Sequence, residues 1–505
     1  MVEGGLSLFS LMEKNLRVAF VSAEVSPYAK LGEMADVAYS LPKHLSSLGM
    51  QVSLFMPKYR RPEIDSLQME LVTSDLPVHL GDRRAKARVF REEQGKYDIY
   101  FIDNPKYFWR DQIYGTGTGA YLDNDERFIF FNRAILEFLL RSKITIDVIH
   151  CNNWPASLIP VFLKTHYANT KNFQDTATLL TLHNIAYQGE FPPDSLLATG
   201  LDLNYFTSQH VSLNGKFNFL KAGIMYADVL NTVSSSYRKE ILTKKHGLGL
   251  QEILNRRRDV FFSVRNGIDY DVWNPETDPF IATNYSYANL DGKKTCKKDL
   301  IKEFGLSISI KTPVIGVVSY MRTHKGFDIL LDALDELVRW DMALVILGKG
   351  EEQYENKFIE IQRKYPDKVA IRLEMNPSLT HKMAAGSDIF LIPSLYEPCG
   401  LNQLYSFRYA TVPVVRGTGG LEETVRPFQA ETGKGNGFMF RDYTSSAMLA
   451  ALEQALMYYR KPAIWKKILF QGMKEKFSWE SAARRYASLY RSALEIKHKR
   501  RAGHL

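Results

Sequence analysis

The sequence predicts an α/β protein of two doubly wound, Rossmann-like domains facing across a deep cleft. Three observations carry that prediction. Short apolar runs alternate with helical periodicity from Arg17 onward. The alternation stops in a polar, Asn/Asp/Lys-rich stretch after Arg265-Asn-Gly-Ile-Asp269, then begins again at Val314. Several strand patterns also end in glycine-bearing or polar turns that open helices, the place where ligands bind in open α/β sheets.

The first series opens with Arg17-Val-Ala-Phe-Val-Ser-Ala23, read as a buried parallel strand. Val37, Leu41, Leu45 and Leu48 then recur at helical spacing, and Gly49 fits the helix end. Val52 to Met56 is the next strand, stopped by Pro57. Ala87 to Phe90 and Tyr97 to Ile102 read as strands of an insertion hairpin, and Asp125 to Leu140 as a helix. Val148-Ile149, Leu179 to Leu182 and Asp228 to Val233 complete the first domain. In the second series Val314 to Val318, Ala343 to Leu347, Val369 to Leu373, Ile389 to Ile392 and Val412 to Val415 are strands, and Phe327 to Trp340 is a helix. Trp479 to Lys497 has helical periodicity. The domains are set at residues 1–15 (an N-terminal extension), 16–270, 271–478 and 479–505, the last a C-terminal helix.

Bulk composition excludes several classes. A chain of 505 residues, 45% hydrophobic, is long enough for two full cores, and its net charge of +9 is spread out. No nucleic-acid-binding motif accompanies the basic clusters, so a nucleic-acid partner is not expected. No apolar run reaches membrane-spanning length, and the N-terminus lacks a basic signal-peptide start. Cys151, Cys296 and Cys399 form no CxxC pair. Neither a disulfide framework nor a metal site is expected, and a reducing cytoplasm fits.

Four turns carry candidate chemistry. Ser26 to Asp36 supplies Lys30 and Gly32 ahead of a helix, a pairing that suits a diphosphate. Thr181-Leu-His183 places an imidazole just past a strand. Ser319 to Gly326 supplies Lys325. Tyr396-Glu-Pro-Cys-Gly-Leu401 sets Glu397 after the strand ending at Ser394, with Thr418-Gly-Gly420 in the turn beyond. Singly, each is equally a surface lysine, a structural histidine or plain architecture. Together, two ammonium groups, an imidazole and a carboxylate suit a nucleotide-sugar donor. The cations stabilise a leaving diphosphate, and the carboxylate holds hydroxyls.

Ordered motifs sharpen this reading. Ser22-Ala-Glu-Val-Ser-Pro27, Gly119-Ala-Tyr-Leu-Asp-Asn-Asp-Glu-Arg-Phe128 and His183-Asn-Ile-Ala-Tyr-Gln-Gly189 come first. Asn218-Phe-Leu-Lys-Ala-Gly223, Asn266-Gly-Ile-Asp269 with Trp273-Asn-Pro275, Glu397-Pro-Cys-Gly-Leu401 and Thr418-Gly-Gly-Leu421 follow. From about Arg17 to Arg491 the chain resembles the ADP-glucose family of bacterial glycogen and plant starch synthases, retaining glycosyltransferases of the GT-B fold. That resemblance implies transfer of glucose from ADP-glucose to the non-reducing end of glycogen or a linear α-1,4-glucan. It implies no metal, no cofactor and no protein nucleophile, because the leaving phosphate deprotonates the acceptor.

The resemblance also implies residue roles. Lys30 and the Gly32 backbone meet the ADP phosphates, and Lys325 neutralises the distal phosphate. His183 contacts the glucose near its 6-hydroxyl. Glu397 and the amides of Cys399, Gly400 and Leu401 hold its 3- and 4-hydroxyl side. Thr418, Gly419 and Gly420 lie near the phosphate end, Asn153 near the sugar, and the C-terminal helix crosses back to the N-terminal domain. The chain departs from the family pattern at Glu33 for a second glycine, at Asn152-Asn153 for His-Asp, and at Tyr320 for a phosphate-binding arginine. Three readings therefore stand at this stage: a transferase with a modified phosphate site, an impaired relative serving as a glucan-binding or regulatory scaffold, and a transferase using another donor such as UDP-glucose.

Overall fold

A computed structural model describes residues 15–116 and 119–502. The N-terminal extension expected over residues 1–15 therefore lies almost wholly outside the described residues. The chain divides into two compact units. The first takes the chain to Val233, then Arg238–Gly267 and the C-terminal helix from Trp479; the second takes Ser234–Tyr237 and Ile268–Ser478.

The first unit is built on a nine-stranded sheet. Its strands are β1 (Arg17–Val21), β2 (Gln51–Pro57), β3 (Glu70–Leu80), β4 (Arg83–Glu93), β5 (Asp98–Asp103), β6 (Val148–Asn152), β7 (Ala177–Leu182), β8 (Val229–Thr232) and β9 (Phe261–Ser263). They run in the order β9-β8-β7-β6-β1-β2-β5-β4-β3. β1 pairs in parallel with β2 on one side and β6 on the other. The topological switch point, where the strand order reverses, thus lies between β1 and β6.

The expected hairpin is present: β4 and β5 pair antiparallel from Arg88↔Asp103 to Glu93↔Asp98. β5 is a sheet strand, parallel to β2. A further strand, β3, pairs antiparallel with β4 and extends the sheet beyond the hairpin. β3 was missed because its apolar positions are few: Leu76, Val78 and Leu80 are buried, but Leu71 and Val72 are exposed.

Strands β6 and β7 are buried throughout, which explains their near-continuous apolar runs. Their polar members are bonded, as burial demands. His150 Nε2 meets Thr181 Oγ1 at 2.7 Å and its Nδ1 meets Tyr490 of the C-terminal helix at 2.8 Å. Helix Trp479–Arg501 packs along the Glu33–Ser47 helix and over β6, β7 and β8. Asn231 donates to Tyr486 at 3.1 Å, and Arg500 reaches the buried Asp228 at 3.3 Å.

The second unit holds a six-stranded parallel sheet. Its strands are β10 (Val314–Val318), β11 (Ala343–Leu347), β12 (Val369–Arg372), β13 (Ile389–Ile392), β14 (Val412–Arg416) and β15 (Phe438–Phe440), in the order β12-β11-β10-β13-β14-β15. Its switch point lies between β10 and β13. Helix Phe327–Leu337 buries Phe327, Leu330, Leu334 and Leu337 at helical spacing against this sheet. Among the described residues no helix is long and apolar enough to cross a membrane.

Candidate active site

In each unit the sequence-singled residues fall on loops leaving the C-terminal ends of strands, and most flank the switch point. In the first unit Lys30 and Gly32 follow β1, Asn153 follows β6, and His183 follows β7. In the second, Lys325 follows β10, Glu397 to Leu401 follow β13, and Thr418 to Gly420 follow β14.

In the first unit, Lys30 Nζ donates to Asp36 Oδ1 at 2.6 Å, and both lie partly open to solvent. Glu33 and Asp36 occupy the first turn of helix Glu33–Ser47, where carboxylates are favoured by the helix dipole. Gly32 caps that helix with φ of −142°, and an added Cβ there would meet nothing within 4 Å. Among the described residues, then, the side of Gly32 on which a Cβ would stand is open. Its amide is engaged: the Glu24 carboxylate accepts from the N–H groups of Leu31 at 2.8 Å and Gly32 at 3.1 Å. Tyr114 donates to the other Glu24 oxygen at 3.0 Å. Burial pushes the Glu24 carboxyl above its ordinary range, and these three donors oppose the shift.

His183 sits at the end of β7, held twice over. Asn153 Oδ1 accepts its backbone N–H at 2.8 Å, and Asn152 Oδ1 lies 2.8 Å from its Nε2. Burial pushes the imidazole down to about 3, so it is neutral at physiological pH. Asn153 has φ of 55° and ψ of −171°, and its Nδ2 reaches Met34 Sδ at 3.2 Å.

In the second unit the central feature is an ion pair. Lys325 Nζ donates to both oxygens of Glu397, at 2.9 and 2.8 Å, and Ser394 adds a bond at 2.9 Å. The carboxylate is 7% exposed and the ammonium 25%. The two groups expected on opposite ends of the donor thus hold each other.

Gly326 has φ of +84°, and a Cβ there would overlap the Pro393 carbonyl, so the residue after Lys325 must be glycine for the two loops to meet. Asn402 donates to the Val318 carbonyl at 2.8 Å, tying the Glu397 loop to the end of β10. Gly419 and Gly420 are demanded similarly: Cβ atoms there would overlap the carbonyls of Glu397 and Cys399. The Gly420 amide donates to Glu397 O at 3.0 Å. Cys399 is buried, and its carbonyl accepts from Gln403 at 3.2 Å. Thr418 precedes helix Gly419–Thr424. Tyr320, the expected gap in the phosphate cations, lies beneath Arg322, whose guanidinium carbon is 5.9 Å from the ring centroid. His324 stacks on Tyr396 at 5.0 Å, and burial, then the nearby Lys325 and Arg322, pushes its pKa down.

Three contributors went unassigned at the level of sequence: Glu24, Asn152 and Ser394. Glu24 lies inside a motif that marked the family, yet nothing in its spacing shows that it folds back on amides seven and eight residues later. Ser394 and Asn152 close strands, and their contacts are set by loop return.

Residues 17–256 match the starch synthase catalytic domain, and residues 301–468 match the glycosyl transferases group 1 domain. The glycogen synthase of Koribacter versatilis is 40% identical over 487 residues, covering 95% of this chain and 99% of that protein. The glycogen synthase of Moorella thermoacetica is 42% identical over 499 residues, covering 97% and 99%. The catalytic domain of starch synthase IV from Arabidopsis thaliana, solved bound to ADP and acarbose, superposes with a TM-score of 0.88 at 31% identity, covering 95% of this chain and all of that one. Two Rossmann-like units, motifs in order and identity over nearly the whole length agree: the chain belongs to the glycogen and starch synthase family of GT-B glycosyltransferases.

Proposed function

We propose that the chain transfers glucose, with retention of configuration, from ADP-glucose to the non-reducing end of an α-1,4-glucan such as glycogen. The observation that carries this is identity of about 40% with glycogen synthases over nearly their whole length, joined to retention of Lys30, His183, Lys325 and Glu397. The starch synthase IV structure, with ADP and acarbose bound, supports a nucleotide donor and a glucan acceptor here.

In this reading Lys325 turns from Glu397 to the distal phosphate as the donor binds, and it neutralises charge on the departing ADP. Glu397, still held by Ser394, accepts from the glucose 3- and 4-hydroxyls. The amides of Cys399 to Leu401 assist, and Thr418 to Gly420 serve the phosphate end. Lys30 gives up Asp36 for phosphate. Neutral His183 bonds the glucose near its 6-hydroxyl, and Asn153, uncharged, lies beside the sugar. The acceptor hydroxyl attacks from the face the phosphate leaves, and its proton passes to that phosphate. In this reading unit 2 takes the nucleotide, and unit 1 takes the acceptor besides contributing Lys30, Asn153 and His183 to the donor. A cytoplasmic setting accords with three buried cysteines that form no disulfide.

The test is transfer of radiolabelled glucose from ADP-glucose to glycogen, with UDP-glucose in parallel and Glu397→Ala as control. Incorporation from ADP-glucose that the control abolishes is expected. A folded protein that incorporates glucose from neither donor refutes the proposal, and incorporation from UDP-glucose alone refutes the donor assignment.

A further inference from the structure

We infer that Asn152 is a positioning residue that fixes His183 as the Nε2–H tautomer and so reserves Nδ1 as the ring's acceptor for a sugar hydroxyl. The second half of this statement rests on the proposed transferase function; the first half does not.

The argument starts in the sheet. β6 lies between β1 and β7, with Asn152 opposite Thr181 in the β6–β7 register. Asn152 is 1% exposed, so both ends of its amide need partners inside the protein. Its Nδ2 donates to the Val21 carbonyl of β1 at 3.0 Å. A carbonyl only accepts, so that contact fixes which end of the amide is nitrogen. The oxygen must then face the other way, and there it meets His183 Nε2 at 2.8 Å. An amide oxygen cannot donate, so Nε2 must carry the proton.

A neutral imidazole has one N–H. Burial keeps His183 neutral, and the titratable group that registers in its surroundings is His150, itself kept neutral by burial and by His183. With Nε2 committed as donor, Nδ1 has a lone pair. The next asparagine completes the setting. Asn153 Oδ1 holds the His183 backbone N–H, so consecutive side chains from the end of β6 fix ring orientation and main chain together. A ring so held accepts a hydrogen bond from a hydroxyl at Nδ1 and cannot donate one there. That polarity orients a substrate hydroxyl as donor toward the protein.

The test separates this assignment from the transferase reading. The protein is labelled with 15N in histidine, and the His183 resonances are assigned by their loss in His183→Gln. The wild type is expected to show a protonated Nε2 and an unprotonated Nδ1 across pH 6 to 8. Asn152→Leu removes the acceptor, and is expected to abolish that single-tautomer signature and lower kcat about tenfold, with a smaller change in KM for the donor.

Asn152→Asp keeps an acceptor in the same shape but adds charge. It is expected to preserve the tautomer at high pH, restore most of kcat there, and give the pH–rate profile an acid limb as His183 becomes protonated. A wild-type His183 protonated at Nδ1 overturns the proposal. So does an Asn152→Leu protein with unchanged tautomer and kcat. If Asn152→Leu does not fold, the wild-type spectrum and the Asn152→Asp profile decide. The expected spectrum in a protein that transfers glucose from no donor would leave the tautomer standing and remove the transferase reading instead.

Discussion

Mutual bonding of Lys325 and Glu397 makes a prediction about stability that needs no substrate. Replacing Lys325 by methionine leaves Glu397 buried, 7% exposed, with Ser394 as its remaining side-chain donor of the two. Breaking a fully buried ion pair by removing one partner costs about 3–5 kcal/mol. Lys325 is 25% exposed, so water relieves part of that cost, and about 2 kcal/mol is expected. For a unit of this size each kcal/mol shifts Tm by about 2–4 °C, giving a fall of about 4–8 °C in the transition that reports the second unit.

Glu397→Gln in the Lys325→Met background removes the stranded charge and should recover most of the loss. The double-mutant cycle then yields a coupling near 2 kcal/mol, read by differential scanning calorimetry or denaturant titration. Activity behaves differently: under the proposed roles the double variant stays inactive, because the phosphate cation is gone and a neutral amide stands in for the carboxylate that holds the sugar. Additive single effects, with no coupling, would refute the pairing and with it the idea that the donor must separate these groups to bind.

Other expectations follow from the same contacts. His183 and His150 are neutral when folded and take up protons on unfolding below about pH 6.5, so stability is full above that pH and declines as pH falls toward 3. Tm measured from pH 7.5 to 5 should fall less steeply in His183→Gln than in the wild type. Glu24→Ala frees the amides of Leu31 and Gly32, and hydrogen exchange at these two positions should accelerate by about tenfold or more while β1 stays protected. Tyr320→Arg adds a third cation, beside Arg322 and Lys325, to the turn after β10 and should raise kcat, by up to about 100-fold if the added group reaches the phosphates; an unchanged kcat would show that Arg322 already serves there.

What the sequence made legible depended on how local the cause was. β1, β6, β7 and β10 are buried on both faces, so apolar runs reveal them directly. β3 was hidden because an exposed edge strand needs few apolar residues. Lys30, His183, Lys325 and Glu397 could be found because each follows a strand end. What each one touches could not, because partners come from loops distant in sequence: Glu397 and Lys325 are 72 residues apart. Gly32 illustrates a further limit. Glycine there reads as close approach of a diphosphate, and among the described residues no atom lies within 4 Å of where its Cβ would be, whereas Gly420 is required by the Cys399 carbonyl.

Asn153 joins these threads. With φ of 55° and ψ of −171°, it occupies a backbone region that is essentially reserved for glycine and costs about 1–3 kcal/mol for another residue. A residue persists there only if its side chain returns something, and Asn153 does: its oxygen holds the His183 amide and its nitrogen reaches Met34. Two opposing terms therefore meet at one position. Asn153→Gly releases the backbone cost and loses about 1 kcal/mol of hydrogen bonding, so its stability should match or exceed that of the wild type. Asn153→Ala loses the same bonds with no release and should be destabilised by about 1–2 kcal/mol. Both should lose transferase activity, because both leave the His183 main chain unheld. Stability and activity would then part company in the glycine variant. An Asn153→Gly protein that is less stable than Asn153→Ala would mean that the backbone at the end of β6 is not strained, and that asparagine is there for its side chain alone.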